Sequence, residues 1–418
     1  MRYIWKITHA ISTVNKKIEI NTCGKNLIIM GGNGSGKTTF VRDVHQKLRQ
    51  LMIEDLAGSL LKLRKNLASD ERYLAGIKDR PDQESEVDQV TRRIKQYEAE
   101  IAQLSHGPGV EIQNQEEFRK YALSGRGLVE FFDASRQAEI NAATGAETTV
   151  YDLKELISGS VQGIGAKFEK HLTNLKTRRS FAITETPDKK LAVEIEHWFA
   201  KLDTDLRFLF EDESTQLSFD PRKFKFFITQ DGRPPFTFQT LSSGYSAIFH
   251  ILSRLLMRAE YLETLPSELS GVAIIDEIDA HLHVSLQRKI FPFITKMFPN
   301  VQFIVTTHSP FVLASVEDAV IFDISTQESA SDISSYSYDA ILQAVFNVPT
   351  ISDVLRNKVM RLCTLLDKNQ LDLPELASIV ASIGGGASTL DEESAFYIGK
   401  AKLELLKAKA KTQEGRDV

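Results

Sequence analysis

Residues 31–39 have the types and the spacing that bind a polyphosphate. Gly31, Gly36, Lys37 and Thr38 fit the pattern G-x-x-x-x-G-K-[ST]. Glycines let backbone N–H groups converge on phosphate oxygens, and the positive end of the following helix dipole adds to this attraction. In such a loop Lys37 reaches the β- and γ-phosphates, and the Thr38 hydroxyl binds Mg²⁺. A glycine-rich surface turn is the alternative interpretation.

Two carboxylates and a histidine further along the chain are suited to act on a bound phosphate. Asp276 and Glu277 end an apolar run that begins at Gly271, which is a strong signal beside a phosphate loop. Asp276 would bind Mg²⁺ through water, and Glu277 would polarise the attacking water. His308 follows a second apolar run, where it would hydrogen-bond the γ-phosphate and hold that water in line. A purely structural role for His308 is the alternative.

The segment Leu241-Ser-Ser-Gly-Tyr-Ser opens an apolar helix and is a third candidate for phosphate contact. Ser242 and Ser243 are suited to cap that helix, and Gly244 lets the backbone approach an anion closely. Alone, this pattern is more typical of an ordinary helix cap. A binding role for it therefore depends on the other motifs.

The elements that must position these residues are buried strands. Parallel strands covered on both faces are apolar throughout, as the run at 27–30 is, and further strands are predicted at 127–132, 271–276, 301–307 and 318–323. We also predict an edge sheet, a helical lobe, a β-hairpin with an Asp-Gly turn and a helical C-terminal region. These lie, in that order, at 3–20, 151–206, 223–238 and from Ser335 onward.

A long antiparallel helical hairpin is predicted at residues 46–106. Two stretches carry apolar residues at spacings of three, four and seven, which is the seam of a heptad repeat. A turn at Arg80-Pro81-Asp82 separates them, because proline cannot continue a helix. The apolar positions are Leu56, Leu60, Leu63, Leu67, Leu74, Ile77, Val87, Val90, Ile94, Tyr97, Ile101 and Leu104. Two ordinary amphipathic helices packed on the core are the alternative.

Composition restricts the class of protein. The 418 residues are 42% hydrophobic and 26% charged, with a formal net charge of −5, which is typical of a globular protein and does not indicate wholesale coating of nucleic acid. Cys23 and Cys363 form no C-x-x-C pair, which argues against a zinc site or a disulfide framework. No apolar run reaches about 18 residues and the N-terminus lacks a signal-peptide core, so we expect a cytoplasmic protein with no membrane partner.

Together with the phosphate loop, two downstream segments resemble a known family. They are LSSGYSAI at 241–248 and IIDEIDAHLHVSLQRKIFPFITKMFPNVQFIVTTHSPFVL at 274–313. They are similar to the ABC-type AAA ATPases of bacteria. That group includes OLD-family ATPases, the ATPase subunits of PARIS and Septu phage-defence systems, and retron-associated ATPases. RecF and SMC heads are more distantly similar, and YDAILQAVFNVPT at 338–350 is a less specific further match.

The resemblance implies an α/β fold of the P-loop NTPase class and of ABC-ATPase type. The ATPase head would comprise residues 1–45 and 107–335, including the helical lobe at 151–206. The helical hairpin at 46–106 would be an insertion in that head, and 336–418 would form a helical C-terminal region.

The resemblance also assigns roles to residues. Residues 31–39 would form the Walker A motif, Asp276 and Glu277 the Walker B motif, and His308 the switch histidine. Residues 241–245 would be the ABC signature, which acts on the nucleotide of a second subunit. Contacts with ATP are expected from Gly31, Asn33, Gly34, Ser35, Gly36, Lys37, Thr38, Thr39, Ser242, Ser243 and Gly244.

Mg²⁺ is the expected cofactor beside ATP, with Thr38, Asp276 and Gln137 as its ligands. Gln137 follows the strand at 127–132 and is the best candidate for the Q-loop, although the match is weak. In transporters a Gln is common at the position of Tyr245, so this sequence departs from the pattern there.

Asp279 to His283 would form the D-loop, which crosses the interface between two subunits. His281 and His283 are, alternatively, candidate metal ligands, but their spacing and the lack of a nearby third ligand disfavour that role.

The resemblance implies a head that hydrolyses ATP and thereby switches a partner. Two heads would sandwich two nucleotides, so we expect a homodimer or a higher oligomer. The head shows no effector chemistry, and only about a hundred mostly helical residues follow His308. We therefore expect a separate effector protein, a nuclease, that docks on the hairpin at 46–106.

Other functions compete with this one. A RecF-like or SMC-like DNA repair ATPase would use basic clusters, although solvated surface charge is the favoured explanation of these. The clusters are Lys170, Lys176, Arg178 and Arg179, and Arg222, Lys223 and Lys225. A transporter subunit is disfavoured by the insertion after the phosphate loop, and a non-hydrolysing switch by the presence of both Glu277 and His308.

Overall fold

The computed structural model divides the chain into two units, Met1–Tyr336 and Ser337–Val418. Part of the predicted helical lobe (151–162), the predicted turn at 80–82 and all of the 338–350 segment except Ile341 lie outside the described residues. The structure describes residues 3–11, 16–53, 56–77, 84–105, 107–124, 127–146, 163–185, 188–262, 264–316, 318–330, 341, 352–366, 372–383 and 392–414.

The elements are numbered in chain order. The strands of the first unit are β1 (Ile4–Ile11), β2 (Lys16–Asn21), β3 (Asn26–Met30), β4 (Gly109–Ile112), β5 (Gly127–Phe132), β6 (Gln216–Asp220), β7 (Lys225–Gln230), β8 (Arg233–Phe236), β9 (Ser270–Ile275), β10 (Val301–Thr306), β11 (Ala319–Asp323) and β12 (Glu328–Ala330). Its helices are α1 (Lys37–Ile53), α2 (Leu56–Ile77), α3 (Glu84–Ser105), α4 (Gln115–Leu123), α5 (Phe168–Thr184), α6 (Lys189–Phe210), α7 (Ser243–Tyr261), α8 (Val284–Met297) and α9 (Pro310–Leu313). The second unit contains α10 (Asp353–Leu366), α11 (Leu373–Ile383) and α12 (Glu392–Glu414).

A six-stranded sheet ordered β12-β11-β3-β10-β9-β5 forms the centre of the first unit. Its strands are parallel except β12, which pairs antiparallel with β11 at one edge. The strands β3, β9 and β10 are completely buried, as apolar strands covered on both faces should be. All five predicted buried strands are confirmed, and the phosphate loop after β3 identifies the fold as that of a P-loop NTPase.

Strands β5 and β9 approach each other too closely for a side chain between them. Gly271 has a φ of 143°, and a Cβ atom there would lie 2.2 Å from the carbonyl oxygen of Leu128. The parallel pairing continues to Phe132 opposite Ile275. The segment after β5 therefore leaves the sheet beside the paired carboxylates.

A second, three-stranded sheet has the order β2-β1-β4 and is antiparallel. It contains the predicted edge strands of residues 3–20. The strand β4 was not predicted, because its four residues alternate between exposed and half-buried positions and lack an apolar run. Apolar side chains of this sheet and of α1 share one core with the central sheet, and Ile7, Phe40 and Ile304 are among its fully buried members.

Helix α1 belongs to the head over its whole length. Leu48 and Met52, which the sequence analysis places in the hairpin at 46–106, are 0% and 4% exposed in the head core. The predicted start of the hairpin is therefore too early. The reason is that helical apolar periodicity continues from α1 towards α2, so the spacing of residues does not mark where the core ends.

Helices α2 and α3 pack against each other in antiparallel directions. Arg93 Nε donates to Asp70 Oδ2 at 2.9 Å, and the Tyr73 hydroxyl donates to Glu86 Oε1 at 2.7 Å. The seam residues whose side chains are described are buried or half-buried, whereas most positions between them are exposed. Both observations agree with pairing through the predicted seam.

The lobe beside the sheet combines α5 and α6 with the antiparallel sheet β6-β7-β8. The predicted β-hairpin is β7 and β8, joined at Asp231-Gly232, where Gly232 has a φ of 72°. Glu169 on α5 is fully buried and accepts the N–H of Phe226 at 3.0 Å and the amide of Gln239. A buried carboxylate thus joins the lobe helix to this small sheet.

The second unit is helical in its described part. Leu362, Leu365, Leu376, Ile398 and Ala401 form its core. Among the described helices of both units, none combines the length and the apolar character needed to cross a bilayer.

Candidate functional site

The candidate site lies where three neighbouring parallel strands end. The phosphate loop follows β3, Asp276 follows β9 and His308 lies two residues beyond β10, and β10 pairs with both other strands. Because the carboxyl ends of parallel strands meet at one edge of the sheet, the fold brings these three motifs together.

The loop between β3 and α1 has the backbone conformation that its glycines allow. Gly31, Gly34 and Gly36 have φ values of 146°, 74° and 95°. At Gly31 a Cβ atom would lie 2.7 Å from Ile324 Cγ2 and 2.9 Å from Ser325 Oγ. The loop is therefore closed on one side by the segment after β11, and only glycine fits at its first position.

The loop presents hydrogen-bonding groups that a polyphosphate would use. The Lys37 ammonium donates to the carbonyl oxygens of Gly31 and Gly32 at 2.9 and 3.0 Å. The hydroxyl of Ser35 is buried and has no hydrogen-bond partner among the described residues. These groups fit a triphosphate, and the loop amides with the start of α1 suit its negative charge.

The lysine of the loop faces the carboxylates. Lys37 is 7% exposed, and burial lowers the pKa of its ammonium. Glu277, Asp276 and Asp279 act on that pKa in the opposite direction, in decreasing order. The positive charge of Lys37 and the negative charges of the acids after β9 are therefore close enough to interact.

Thr306 connects the two acids after β9. Its hydroxyl donates to Asp276 Oδ1 at 2.6 Å and accepts the backbone N–H of Glu277 at 2.7 Å. Asp276 is 2% exposed, so this contact is made away from bulk water. The hydroxyl fixes the Asp276 carboxylate and the start of the following turn, and it leaves the second carboxylate oxygen for another ligand.

Glu277 has a left-handed backbone, with a φ of 48°. This conformation costs a residue with a side chain about 1–2 kcal/mol, so the surroundings must stabilise it. The guanidinium of Arg136 donates to the carbonyl oxygens of Asp276, Glu277 and Ile278 at 2.8, 3.0 and 2.9 Å. Arg136 is 3% exposed, and burial lowers its pKa to about 10, so it remains charged at neutral pH.

Asp279 holds the backbone at His308 in place. The Asp279 carboxylate accepts hydrogen bonds from the hydroxyl of Thr307 and from the backbone N–H of His308, the latter at 3.4 Å. Burial, followed by the positive charge of Lys37, lowers the pKa of the His308 imidazole. His308 is therefore neutral at pH 7 and keeps one ring N–H to donate.

The helix start at Leu241–Ser246 differs from its prediction. Ser242 is the N-cap of α7, but its hydroxyl makes no capping hydrogen bond, so the predicted capping role is wrong for this residue. Ser242 and Ser243 are exposed, and Gly244 is buried with a Cβ position only 3.0 Å from the carbonyl oxygen of His281. The first turn of α7 thus rests on the segment after Glu277 and exposes two hydroxyls that bond no other described residue.

Gln137 lies in the segment that follows β5. Its carbonyl oxygen bonds His250 Nδ1 at 2.8 Å, and the neighbouring N–H of Ala138 donates to Ser246 Oγ at 2.9 Å. Its side chain is exposed and borders a cleft of about 530 Å³ that Arg136 also lines. A metal-binding role for Gln137 stays a prediction.

The alternative metal site at His281 and His283 receives no support from the geometry. His283 is the N-cap of α8, and its Nδ1 accepts the N–H of Ser285 at 3.4 Å. Among the described residues, no group of three or more His, Cys, Asp or Glu side chains is arranged to hold a metal ion.

Three residues of the site, Thr306, Thr307 and Arg136, were not predicted from the sequence. The two threonines directly precede His308, and that adjacency was the available signal. Arg136 offered no signal, because its partners lie 140 to 142 residues away in the chain. Only the pairing of β5 with β9 brings it beneath the carboxylates.

Replacing Thr306 with valine should slow turnover without weakening ATP binding. The change leaves the Glu277 N–H without its acceptor and the Asp276 carboxylate without its donor, a loss of about 1–3 kcal/mol at the reacting end of the site. We expect kcat to fall roughly tenfold to a hundredfold in a steady-state ATPase assay. Thr295→Val is the matched control, because the described partners of that hydroxyl are all carbonyls within α8. An unchanged kcat in Thr306→Val would contradict this role.

Comparison with protein families gives one match that covers most of the chain. The AAA_21 model, described as "AAA domain, putative AbiEii toxin, Type IV TA system", matches residues 42–314. The matched range contains the helix start at Leu241, both carboxylates and His308, and it begins after the phosphate loop.

Among curated proteins, the "Retron Ec83 probable ATPase" of Escherichia coli is 40% identical over 85 residues, 20% of this chain and 16% of that protein. The "Septu protein PtuA" of Bacillus thuringiensis is 32% identical over 94 residues, 21% of this chain and 24% of that protein. The matches thus span less than a quarter of either relative. They confirm the resemblance to retron-associated and Septu ATPases.

Among solved structures, an Smc head bound to the C-winged helix domain of ScpA covers 77% of this chain and 93% of its own, with a TM-score of 0.35 at 14% identity. The SMC head domain of Thermotoga maritima covers 77% of this chain and 94% of its own, with a TM-score of 0.30 at 12% identity. The strand order and the phosphate loop, rather than these values, identify the fold.

Proposed function

Because this chain belongs to the AAA_21 family of AAA-type ATPase domains, we propose that it hydrolyses ATP at the edge of its central sheet. The observation that carries the proposal is the convergence of the 31–39 loop, the acids after β9 and His308 at the ends of neighbouring strands. A positively charged phosphate cradle, a carboxylate base and a histidine that can donate a hydrogen bond are groups that can catalyse phosphoryl transfer to water.

In this mechanism the loop amides and Lys37 bind the triphosphate and neutralise its charge. Thr38 and Asp276 would hold Mg²⁺, which when bound neutralises the β- and γ-phosphate oxygens. The Glu277 carboxylate accepts a hydrogen bond from the attacking water and orients it toward the γ-phosphate. His308 donates its ring N–H to the γ-phosphate. Positioning and electrostatic stabilisation supply most of the rate enhancement in such reactions.

The direct test is hydrolysis by the purified chain. With ATP and Mg²⁺ the wild type should release phosphate with a turnover that saturates with ATP. A chain that binds ATP tightly and releases no phosphate, alone or with its co-purifying partner, would overturn the proposal.

A second copy of the chain would complete the site. Ser242 and Ser243 are exposed at the first turn of α7, and within the described residues neither hydroxyl bonds the phosphate loop of its own chain. Their free hydroxyls and the start of a 19-residue helix suit a phosphate that another copy presents. ATP binding would therefore close a dimer, and hydrolysis would release it.

The biological role we propose is anti-phage defence, in which this ATPase controls a separate effector, a nuclease. The support is the similarity to a retron ATPase and to a Septu protein together with the shared ATPase motifs. An effector that binds one of the two dimer states more tightly would be switched by ATP turnover.

The α2–α3 hairpin is the proposed docking element for this effector. Leu61 and Tyr73 are apolar or aromatic side chains on it that remain 58% and 47% exposed. Deleting residues 60–103 and closing the gap with a short Gly-Ser linker removes Leu61, Tyr73 and matching lengths of both helices, because Asp70 faces Arg93.

This deletion should abolish capture of the partner and preserve ATP hydrolysis. A tagged chain would be expressed from its native operon, purified, and its bound proteins identified by mass spectrometry. Phe181→Ala is the matched control, because Phe181 is an equally exposed apolar side chain on α5 in the lobe. Undiminished partner capture by the deletion variant would refute docking on the hairpin.

DNA binding remains the competing outcome of the same experiments. On α5, Lys176 lies over the Phe199 ring at 3.9 Å, and Arg179 pairs with Glu196 at 3.3 Å, so both already make internal contacts. ATPase stimulation by duplex or gapped DNA, with a steep loss at higher salt, would favour a RecF-like role instead.

A further inference from the structure

The Arg136 side chain is buried, whereas an arginine that serves solubility or a surface ion pair is exposed. It is 3% exposed and lies in the segment after β5, beneath the turn that follows β9. Within the described residues it forms no ion pair, and its Nε has no hydrogen-bond partner. A buried charge with only carbonyl partners is costly, so those carbonyls must account for its position.

Arg136 bonds four backbone carbonyls, and three of them belong to consecutive residues. Its two terminal nitrogens donate to the carbonyl oxygens of Asp133, Asp276, Glu277 and Ile278, over distances of 2.8–3.2 Å. A regular strand alternates in direction from residue to residue, so it cannot aim three successive carbonyls at one planar group. The left-handed backbone at Glu277 supplies the necessary change of direction.

The side chain of Glu277 leaves the backbone at this turn. The charge of Glu277 raises the pKa of the Lys37 ammonium against the larger, opposite effect of burial, so the two side chains interact electrostatically. The backbone of Glu277 is held by Thr306 through its N–H and by Arg136 through its carbonyl. The direction of the carboxylate therefore depends on a turn that Arg136 stabilises.

We propose that Arg136 is a positioning residue for ATP hydrolysis, which sets the direction of the Glu277 carboxylate through the backbone of residues 276–278. This inference rests on the proposed ATPase function. Arg136 contacts no residue of the phosphate loop among the described residues, so its loss should affect the chemical step rather than the affinity for ATP. Misplacement of a reacting group by about 1 Å can lower a rate about a hundredfold.

The variants Arg136→Ala and Arg136→Lys test this role. Lysine keeps the charge but cannot reproduce a planar group with two pairs of donors, so it should rescue the rate only in part. We expect kcat to fall about a hundredfold in Arg136→Ala and about tenfold in Arg136→Lys. The dissociation constant of a fluorescent ATP analogue should stay within about twofold of the wild type in both.

Chemical rescue provides a readout that a merely structural role would not give. Arg136 lines an open cleft of about 530 Å³, so free guanidinium ion can reach the space that alanine leaves. Guanidinium chloride at a non-denaturing concentration should raise kcat of Arg136→Ala, and equal sodium chloride should not. The same addition should leave Glu277→Gln unaffected.

Arg42→Ala is the matched control. Arg42 pairs with Asp133 of the same segment at 3.0 Å, but its side chain is 60% exposed and it bonds none of the three turn carbonyls. It should keep the wild-type kcat, because exposed pairs contribute little. If Arg136→Ala does not fold, as judged by its thermal unfolding curve, Arg136→Lys decides the result.

Two results would overturn the inference while leaving the proposed function intact. One is a wild-type kcat in Arg136→Ala or, if that variant is unfolded, in Arg136→Lys. The other is a loss of ATP affinity as large as the loss of kcat. A wild-type chain that binds ATP without hydrolysing it would instead overturn the proposed function, and this inference with it.

Discussion

Glu277→Gln is expected to lower ATP turnover by about two to four orders of magnitude and to leave ATP binding intact. This is the range that loss of a general base typically costs. Glutamine has nearly the same shape but cannot take a proton from water. The contacts that hold residue 277 are made by its backbone, with Thr306 and Arg136, so the turn should survive the change.

The measurements are single-turnover phosphate release and native mass spectrometry with saturating ATP and Mg²⁺. Because the closed state should persist when hydrolysis is blocked, the variant should accumulate as a dimer. Glu213→Gln, an exposed acid in the lobe, is the control and should behave as the wild type. Wild-type turnover would remove Glu277 as the base, and a strictly monomeric variant would exclude the two-chain site.

Lys37→Ala should weaken ATP binding more than about a hundredfold. Each hydrogen bond to a charged group contributes about 1.5–3 kcal/mol, and Lys37 is expected to bind two phosphates. Among the described residues its ammonium bonds only the carbonyls of Gly31 and Gly32, so it is available to a stronger anionic partner. Alanine would also remove a positive charge that interacts with Asp276 and Glu277.

Isothermal titration with ATP and Mg²⁺ measures this effect. Lys47→Ala is a close control, because Lys47 is also buried on α1 and also donates to a carbonyl, that of Leu104 at 3.2 Å. Lys47→Ala should bind ATP normally. Equal affinities for the wild type and Lys37→Ala would show that the loop does not bind the triphosphate as proposed.

The central sheet could be predicted from sequence because its signal is local. Strands buried on both faces are mostly apolar, and β3, β9 and β10 are buried at every position and consist largely of apolar residues. The motifs at the ends of these strands were predictable for the same reason. Their residue types follow directly from phosphate chemistry, and their spacing is fixed by one turn.

What could not be predicted depends on contacts between distant segments. The strand β4 is stabilised by pairing with β1, about a hundred residues earlier, rather than by its own composition. Met52 looks like a hairpin residue because helix periodicity is the same in a core helix and in an arm. Ser242 has the residue type of a cap, yet its hydroxyl points elsewhere, and residue type does not determine a rotamer.

The close approach at Gly244 couples the start of α7 to the turn at His281. With only 3.0 Å between its Cβ position and the His281 carbonyl oxygen, neither segment can shift without displacing the other. In a paired assembly, both segments would reach across to the neighbouring copy together. Substitutions in one of them should therefore combine non-additively with substitutions in the other.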